Sequence, residues 1–150
     1  MDASLAIKWV LEEPGSREAG ELLGKWKNGG IGMLAPEVFA ADVAEVLYQR
    51  CTSKELSIEE AKEALEALLE NGPALVSNVA GHARVMELAS DLSLPSTKGA
   101  HYLALAEREN CQCWTADERL WRAAGDVLPW LEWLGERGTQ QDQPMLQNPD

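Results

Sequence analysis

Four aspartates stand where nearly apolar segments end or turn. They are Asp2 in Met1-Asp2-Ala3-Ser4, Asp42 in Ala35-Pro36-Glu37-Val38-Phe39-Ala40-Ala41-Asp42-Val43, Asp91, and Asp117 in Cys113-Trp114-Thr115-Ala116-Asp117-Glu118-Arg119-Leu120. Carboxylates gathered from separate segments supply the hard oxygen ligands that Mg²⁺ or Mn²⁺ needs. Such an ion lowers the pKa of a bound water and stabilises charge on a phosphoryl group, so the chemistry in view is phosphodiester hydrolysis. Simpler roles compete with this one. Asp2 and Asp117 each precede an amphipathic segment, where an Asp is a good helix N-cap, and capping is compatible with ligation. Asp42 lies among Val38, Phe39, Ala41 and Val46, which fits a plain solvent-facing role less well. Asp91, just before Leu92-Ser93-Leu94-Pro95, reads as a surface residue at a helix end.

Bringing carboxylates together requires elements that end side by side. Strand and helix signals alternate along the chain, which predicts an α/β fold with a parallel sheet flanked by helices. Ser4 to Glu13 reads as a helix with Leu5, Ile7 and Trp9 inward, ended by Pro14-Gly15. Ser16 is placed to cap a second helix through Lys27, closed by Asn28-Gly29-Gly30. Ile31 to Ala35 reads as a buried strand, and Pro36 as the start of the helix that carries Asp42. Ser57-Ile58-Glu59-Glu60 is a capping box, opening a helix to Leu69. Ala74 to Val79 reads as a strand, and Gly81 to Leu92 as a helix with Val85, Leu88 and Ala89 on one side. A further helix over Thr97 to Glu109 leads to a strand over Gln112 to Thr115, after which Asp117 starts a short helix, Glu118 to Ala124. Trp130 to Leu134 reads as an amphipathic segment. Residues 1–136 form the predicted domain, and the polar, Gln- and Pro-containing stretch 137–150 is expected to be a disordered tail.

A strand that ends at Asp2 needs several apolar residues before it, because sites of this architecture lie at the carboxyl ends of strands. Only Met1 precedes Asp2, so the first strand is expected to begin upstream of Met1.

Composition bounds the function. The 150 residues fit one domain, with 45% hydrophobic and 25% charged residues. No apolar run approaches the roughly 20 residues of a bilayer span, and the N-terminus lacks the pattern of a signal peptide, so a cytoplasmic protein without a membrane partner is expected. Three cysteines, without zinc-type spacing, predict reduced thiols. A net charge of −12 excludes a broad basic footprint for nucleic acid; any RNA contact must be local, and the acidic surface suits a basic protein partner. His82 is expected at the surface, and His101 as a packed, hydrogen-bonded histidine. Trp9, Trp114 and Trp121 are expected in the core, and Trp26 at the border of a loop.

Four segments, taken in order, resemble PIN domains, and most closely VapC-type toxins of bacterial toxin–antitoxin pairs. They are Asp2-Ala3-Ser4-Leu5-Ala6-Ile7-Lys8-Trp9; Ala35-Pro36-Glu37 followed by Asp42; Ala100-His101-Tyr102-Leu103-Ala104-Leu105-Ala106-Glu107; and Trp114-Thr115-Ala116-Asp117-Glu118-Arg119-Leu120. The resemblance spans Met1 to about Glu136. It implies a PIN-like three-layer sandwich with a parallel sheet of four or five strands. It also implies a homodimeric Mg²⁺- or Mn²⁺-dependent endoribonuclease, inhibited by a basic antitoxin segment. The family's acids fall on Asp2, Asp42 and Asp117, with Asp2 and Asp117 as direct metal ligands and Asp42 acting through water or as a base. Ser4 and Thr115 match supporting hydroxyls. The remaining family acid falls on Gly99, with Lys98 beside it, where the Lys98 ammonium could stand in for a cation. The departure at Gly99 keeps open a catalytically inactive PIN-like protein that binds an antitoxin or RNA. A receiver-type domain also gathers acids at strand ends, but needs an acceptor Asp and a Lys on later strands at spacings this chain lacks.

Overall fold

A computed structural model describes residues 1–135 of the chain. Its element order is α1 (Ala3–Ile7), α2 (Ser16–Asn28), β1 (Leu34–Pro36), α3 (Val38–Thr52), α4 (Ile58–Asn71), β2 (Ala74–Val76), a 3₁₀ turn (Val79–Gly81), α5 (His82–Asp91), α6 (Lys98–Glu109), β3 (Cys113–Thr115), α7 (Glu118–Ala124) and β4 (Leu131–Trp133). The fold is mixed α/β with parallel strand pairing, as the alternation predicts. None of these helices is long and apolar enough to cross a membrane. The tail expected over 137–150 lies outside the described residues.

The expected single sheet is instead two parallel pairs, β1 with β2 and β3 with β4. Met1 and Asp2 join them. The Met1 ammonium donates to the Leu34 carbonyl at 3.2 Å, and the Asp2 amide donates to the Trp114 carbonyl at 3.0 Å. A two-residue segment thus bridges the pairs at one level, where a continuous sheet would need a full strand.

Local chemistry accounts for most boundaries. Both halves of the capping box form at α4: Glu60 N–H donates to Ser57 Oγ at 3.2 Å, and Ser57 N–H donates to the Glu60 carboxylate at 2.7 Å. The first helix is shorter than its amphipathic pattern predicts. Its end is held by Lys8, whose ammonium reaches Glu13 at 2.9 Å and the Pro14 carbonyl at 2.7 Å, folding the chain back on itself. Gly15, at φ 89°, makes the left-handed entry to α2. Ser16 is therefore no cap: its hydroxyl accepts from Glu13 N–H and donates to the Leu11 carbonyl. Pro36 closes β1 rather than opening α3. The segment Trp130 to Leu134, read as amphipathic, supplies β4, with Leu131 its buried residue.

The main core joins Phe39, Val43 and Leu47 of α3 to Leu103 of α6 and Val85 and Leu88 of α5. Burying a side chain such as Phe39 contributes about 2–3 kcal/mol. A second cluster holds Leu5, Ala19 and Trp26, with Trp9, Met33 and Trp114 against it. Trp26 meets Trp9 and Trp114 edge-to-face, with ring centroids 6.3 and 5.8 Å apart. Trp26 is therefore a packed core residue although it stands close to the loop that follows α2.

Candidate functional site

Asp2 is 5% exposed, which for a carboxylate demands hydrogen-bond partners. It has them on both oxygens. Ser4 Oγ donates to Oδ1 at 2.7 Å, the Leu5 amide donates to the same oxygen at 3.2 Å, and Thr115 Oγ1 donates to Oδ2. Each hydroxyl in turn accepts from the backbone that follows β3. The Ala116 amide donates to Ser4 Oγ, and the Asp117 amide to Thr115 Oγ1, both at 2.9 Å. Two parallel relays therefore run from the carboxylate of Asp2 to successive amides of the turn before α7. The supporting hydroxyls expected at Ser4 and Thr115 hold this place. Burial pushes the Asp2 carboxyl above its ordinary value, and the hydrogen bonds from Thr115, Ser4 and Leu5 and the Met1 ammonium offset part of that rise.

Asp117 lies at the far end of the relays, exposed, and caps α7 by accepting from the Arg119 amide at 2.9 Å. Asp42, half-buried on the second turn of α3, accepts from the Tyr102 hydroxyl at 2.6 Å. Burial and the Asp42 carboxylate hold the Tyr102 phenol well above its usual range, and Asp2 adds to the effect. The Tyr102 hydroxyl thus senses two of the acids at once, a role that the sequence reading missed. The only signal was a Tyr three residues beyond Gly99 on an apolar helix.

Gly99 lies on the first turn of α6, one helical turn before Tyr102. A Cβ added there would stand 2.9 Å from Leu120 Cδ1 and 3.3 Å from Leu120 Cδ2. The end of a buried leucine side chain therefore crowds the position where the resemblance expects an acid. Lys98 is exposed and takes part in no ion pair among the described residues, so it does not stand in for a cation within the cluster. Asp91 ends α5 on the surface, as expected. His101 packs its ring against His82, with centroids 5.3 Å apart, and burial lowers its pKa.

No model of a known protein family and no curated protein sequence matches the chain. The site must therefore be judged on its own chemistry. Among the described residues, no three His, Cys, Asp or Glu side chains stand close enough together to hold one ion. Both oxygens of Asp2 and one each of Asp42 and Asp117 accept hydrogen bonds. The donor chemistry nevertheless suits a hard cation: the groups are carboxylates, and the buried one has a raised pKa, which a neighbouring positive charge would lower.

Proposed function

We propose that this chain is a PIN-like, metal-dependent endoribonuclease, the toxin of a toxin–antitoxin pair, with a weakened acidic site. The observation that carries the reading is the pair of relays that tie Asp2 to the turn bearing Asp117, residues 115 positions apart in the chain and both acids of the resemblance. Asp42, held by Tyr102, is the third acid that the resemblance brings to this reading.

On this reading Asp2 and Asp117 would hold Mg²⁺ or Mn²⁺, with Asp42 acting through water. The ion would supply a water of lowered pKa and neutralise charge on the scissile phosphate. The chain's own residues do the positioning. Ser4 and Thr115 fix the Asp2 carboxylate against rotation, and Tyr102 fixes that of Asp42. RNA would be engaged locally, since a chain of net charge −12 has no general attraction for phosphate. A basic antitoxin segment and a second copy of the chain are the partners this reading brings with it.

A second reading rests on Leu120. Its methyl groups crowd the Gly99 position, which fits a PIN-like protein that binds an antitoxin or RNA without cutting. Mn²⁺- and Mg²⁺-dependent cleavage of a structured RNA separates the two readings. Cleavage by the chain that disappears in Asp117→Ala supports the nuclease. Cleavage only after Gly99→Asp combined with Leu120→Ala, which makes room for the new carboxylate, supports the binding protein. No cleavage by either chain, and no metal binding by calorimetry, would remove the nuclease reading.

A further inference from the structure

His82 opens α5 and His101 lies on the first turn of α6, so the starts of two helices bring their imidazoles together, with ring centroids 5.3 Å apart and planes at 74°. The Nδ1 atom of His82 faces two backbone carbonyls, that of Val79 at 2.9 Å and that of Asn78 at 3.1 Å. A carbonyl only accepts, so in the neutral ring Nδ1 carries the proton and Nε2 presents a lone pair. Metal-ligating imidazoles are supported in this way, with the second nitrogen donating to a carbonyl that fixes tautomer and ring direction. His82 is exposed, and no nitrogen of the half-buried His101 is sealed from solvent without a partner. The charges around the pair leave room for a cation. Arg84 is held by Glu87 and Glu107, and Arg108 by Glu109, the Ser77 carbonyl and Asn78. Lys98, one turn before His101, is exposed. Burial and His82 lower the His101 pKa, which keeps the ring neutral, and the Asp42 carboxylate opposes that fall.

We propose that His82 and His101 form an open, two-imidazole site for Zn²⁺. Imidazole suits zinc, copper and nickel, whereas Mg²⁺ prefers oxygen, and the spacing selects among the former. With a metal–nitrogen bond of about 2.0–2.1 Å, each ring centre stands about 3.2 Å from the ion. Two rings at a tetrahedral angle then have centres about 5.2 Å apart, and two at the right angle of a square-planar ion about 4.5 Å. The observed 5.3 Å is the tetrahedral value, which is the geometry of Zn²⁺ rather than of Cu²⁺. Rotation of each ring about its bond to the ion leaves the angle between planes free. Edge-to-face packing alone would allow about 4.5–7 Å, and it makes no use of the lone pair that the His82 tautomer presents. No third His, Cys, Asp or Glu joins the pair among the described residues, so two positions stay open to water or an incoming ligand. An ion there would clip the start of α5 to that of α6, next to the Tyr102 that holds Asp42. The site uses nitrogen ligands and none of the acids, so it does not depend on the nuclease reading.

The test titrates the untagged chain with Zn²⁺ by calorimetry in an excess of Mg²⁺, which occupies carboxylate sites and leaves imidazoles free. One equivalent of Zn²⁺ is expected to bind. His82→Gln and His101→Gln should each weaken that binding by about tenfold or more, while Asp117→Ala should leave it unchanged. Because His82 is exposed, His82→Gln should keep the Tm of the metal-free chain, so its loss of binding cannot come from misfolding. Saturating Zn²⁺ should raise the Tm of the chain and not that of His82→Gln. No binding by the chain would overturn the proposal and leave the two rings as an edge-to-face contact. Equal affinity in His82→Gln would also overturn it. So would binding that disappears in Cys111→Ser, which would place the ion on the exposed thiol.

Discussion

Opposite ends of the same gap between strand pairs are finished very differently. At the acid-bearing end both oxygens of the buried Asp2 have partners: it takes two hydroxyls and an amide, and those hydroxyls hold two further amides. At the other end a cleft of 310 Å³ opens between Ile31 to Leu34 on one side and Cys111, Gln112 and Trp114 on the other, and Ile31 is 57% exposed. Asp2 and Asp117 are thus positioned by hydrogen bonds among the start of α1, the end of β3 and the turn before α7.

The largest effect should come from the saturated end. Thr115→Val keeps the shape of a fully buried side chain while removing the hydroxyl that serves both Asp2 and the Asp117 amide. Leaving two such groups without a partner should cost about 3 kcal/mol in urea unfolding, and a loss under about 1 kcal/mol would mean the relay is not what holds this end.

A smaller effect separates the charge on Asp2 from its shape. Its folded-state pKa is raised above the ordinary 3.8, so above pH 3.8 the folded protein binds more protons than the unfolded chain. Stability from this group is present below that value and is lost as pH rises through the folded pKa. Asp2→Asn should flatten the decline that sets in above pH 3.8 and leave the variant at least as stable at neutral pH. Parallel stability profiles for the two proteins would show that Asp2 is compensated more fully than its burial implies.

The smallest effect belongs to the open end. Ile31→Ser should change stability by no more than about 0.5 kcal/mol in the chain as it stands, since exposed apolar residues contribute little. A loss above about 1 kcal/mol in urea unfolding would show that Ile31 is packed rather than open to solvent.

Much of this was visible in the order of residues, and what was not has identifiable physical causes. The capping box at Ser57 and Glu60 and the helix that begins after Asp117 depend on contacts within three residues, and both lie where the pattern predicts. The helix from Ser4 was read too long because its end is set by Lys8 and Ser16 reaching over the following turn. β4 was missed because two tryptophans around Leu131 give no clean alternation, and its pairing with β3 is a long-range choice. Of the residues singled out by type, Asp2, Ser4, Thr115 and Asp117 form one hydrogen-bonded group, whereas Asp42 is tied to Tyr102 and not to them. The link from Ser4 to Ala116 spans 112 positions, and the crowding of Gly99 by Leu120 depends on how α6 meets α7. Neither leaves a trace in local spacing.

Cys113 opens β3 with its thiol 1% exposed, and burial pushes the thiol pKa up to about 12. Cys111, two residues earlier, is exposed. Alkylation requires a thiolate that reagent can reach, so Cys111 should be consumed at once while Cys113 waits for the strand to come away. The chain therefore carries its own stopwatch. The slow phase of thiol labelling counts how often β3 leaves its place, residue by residue beside an internal standard, without an added probe.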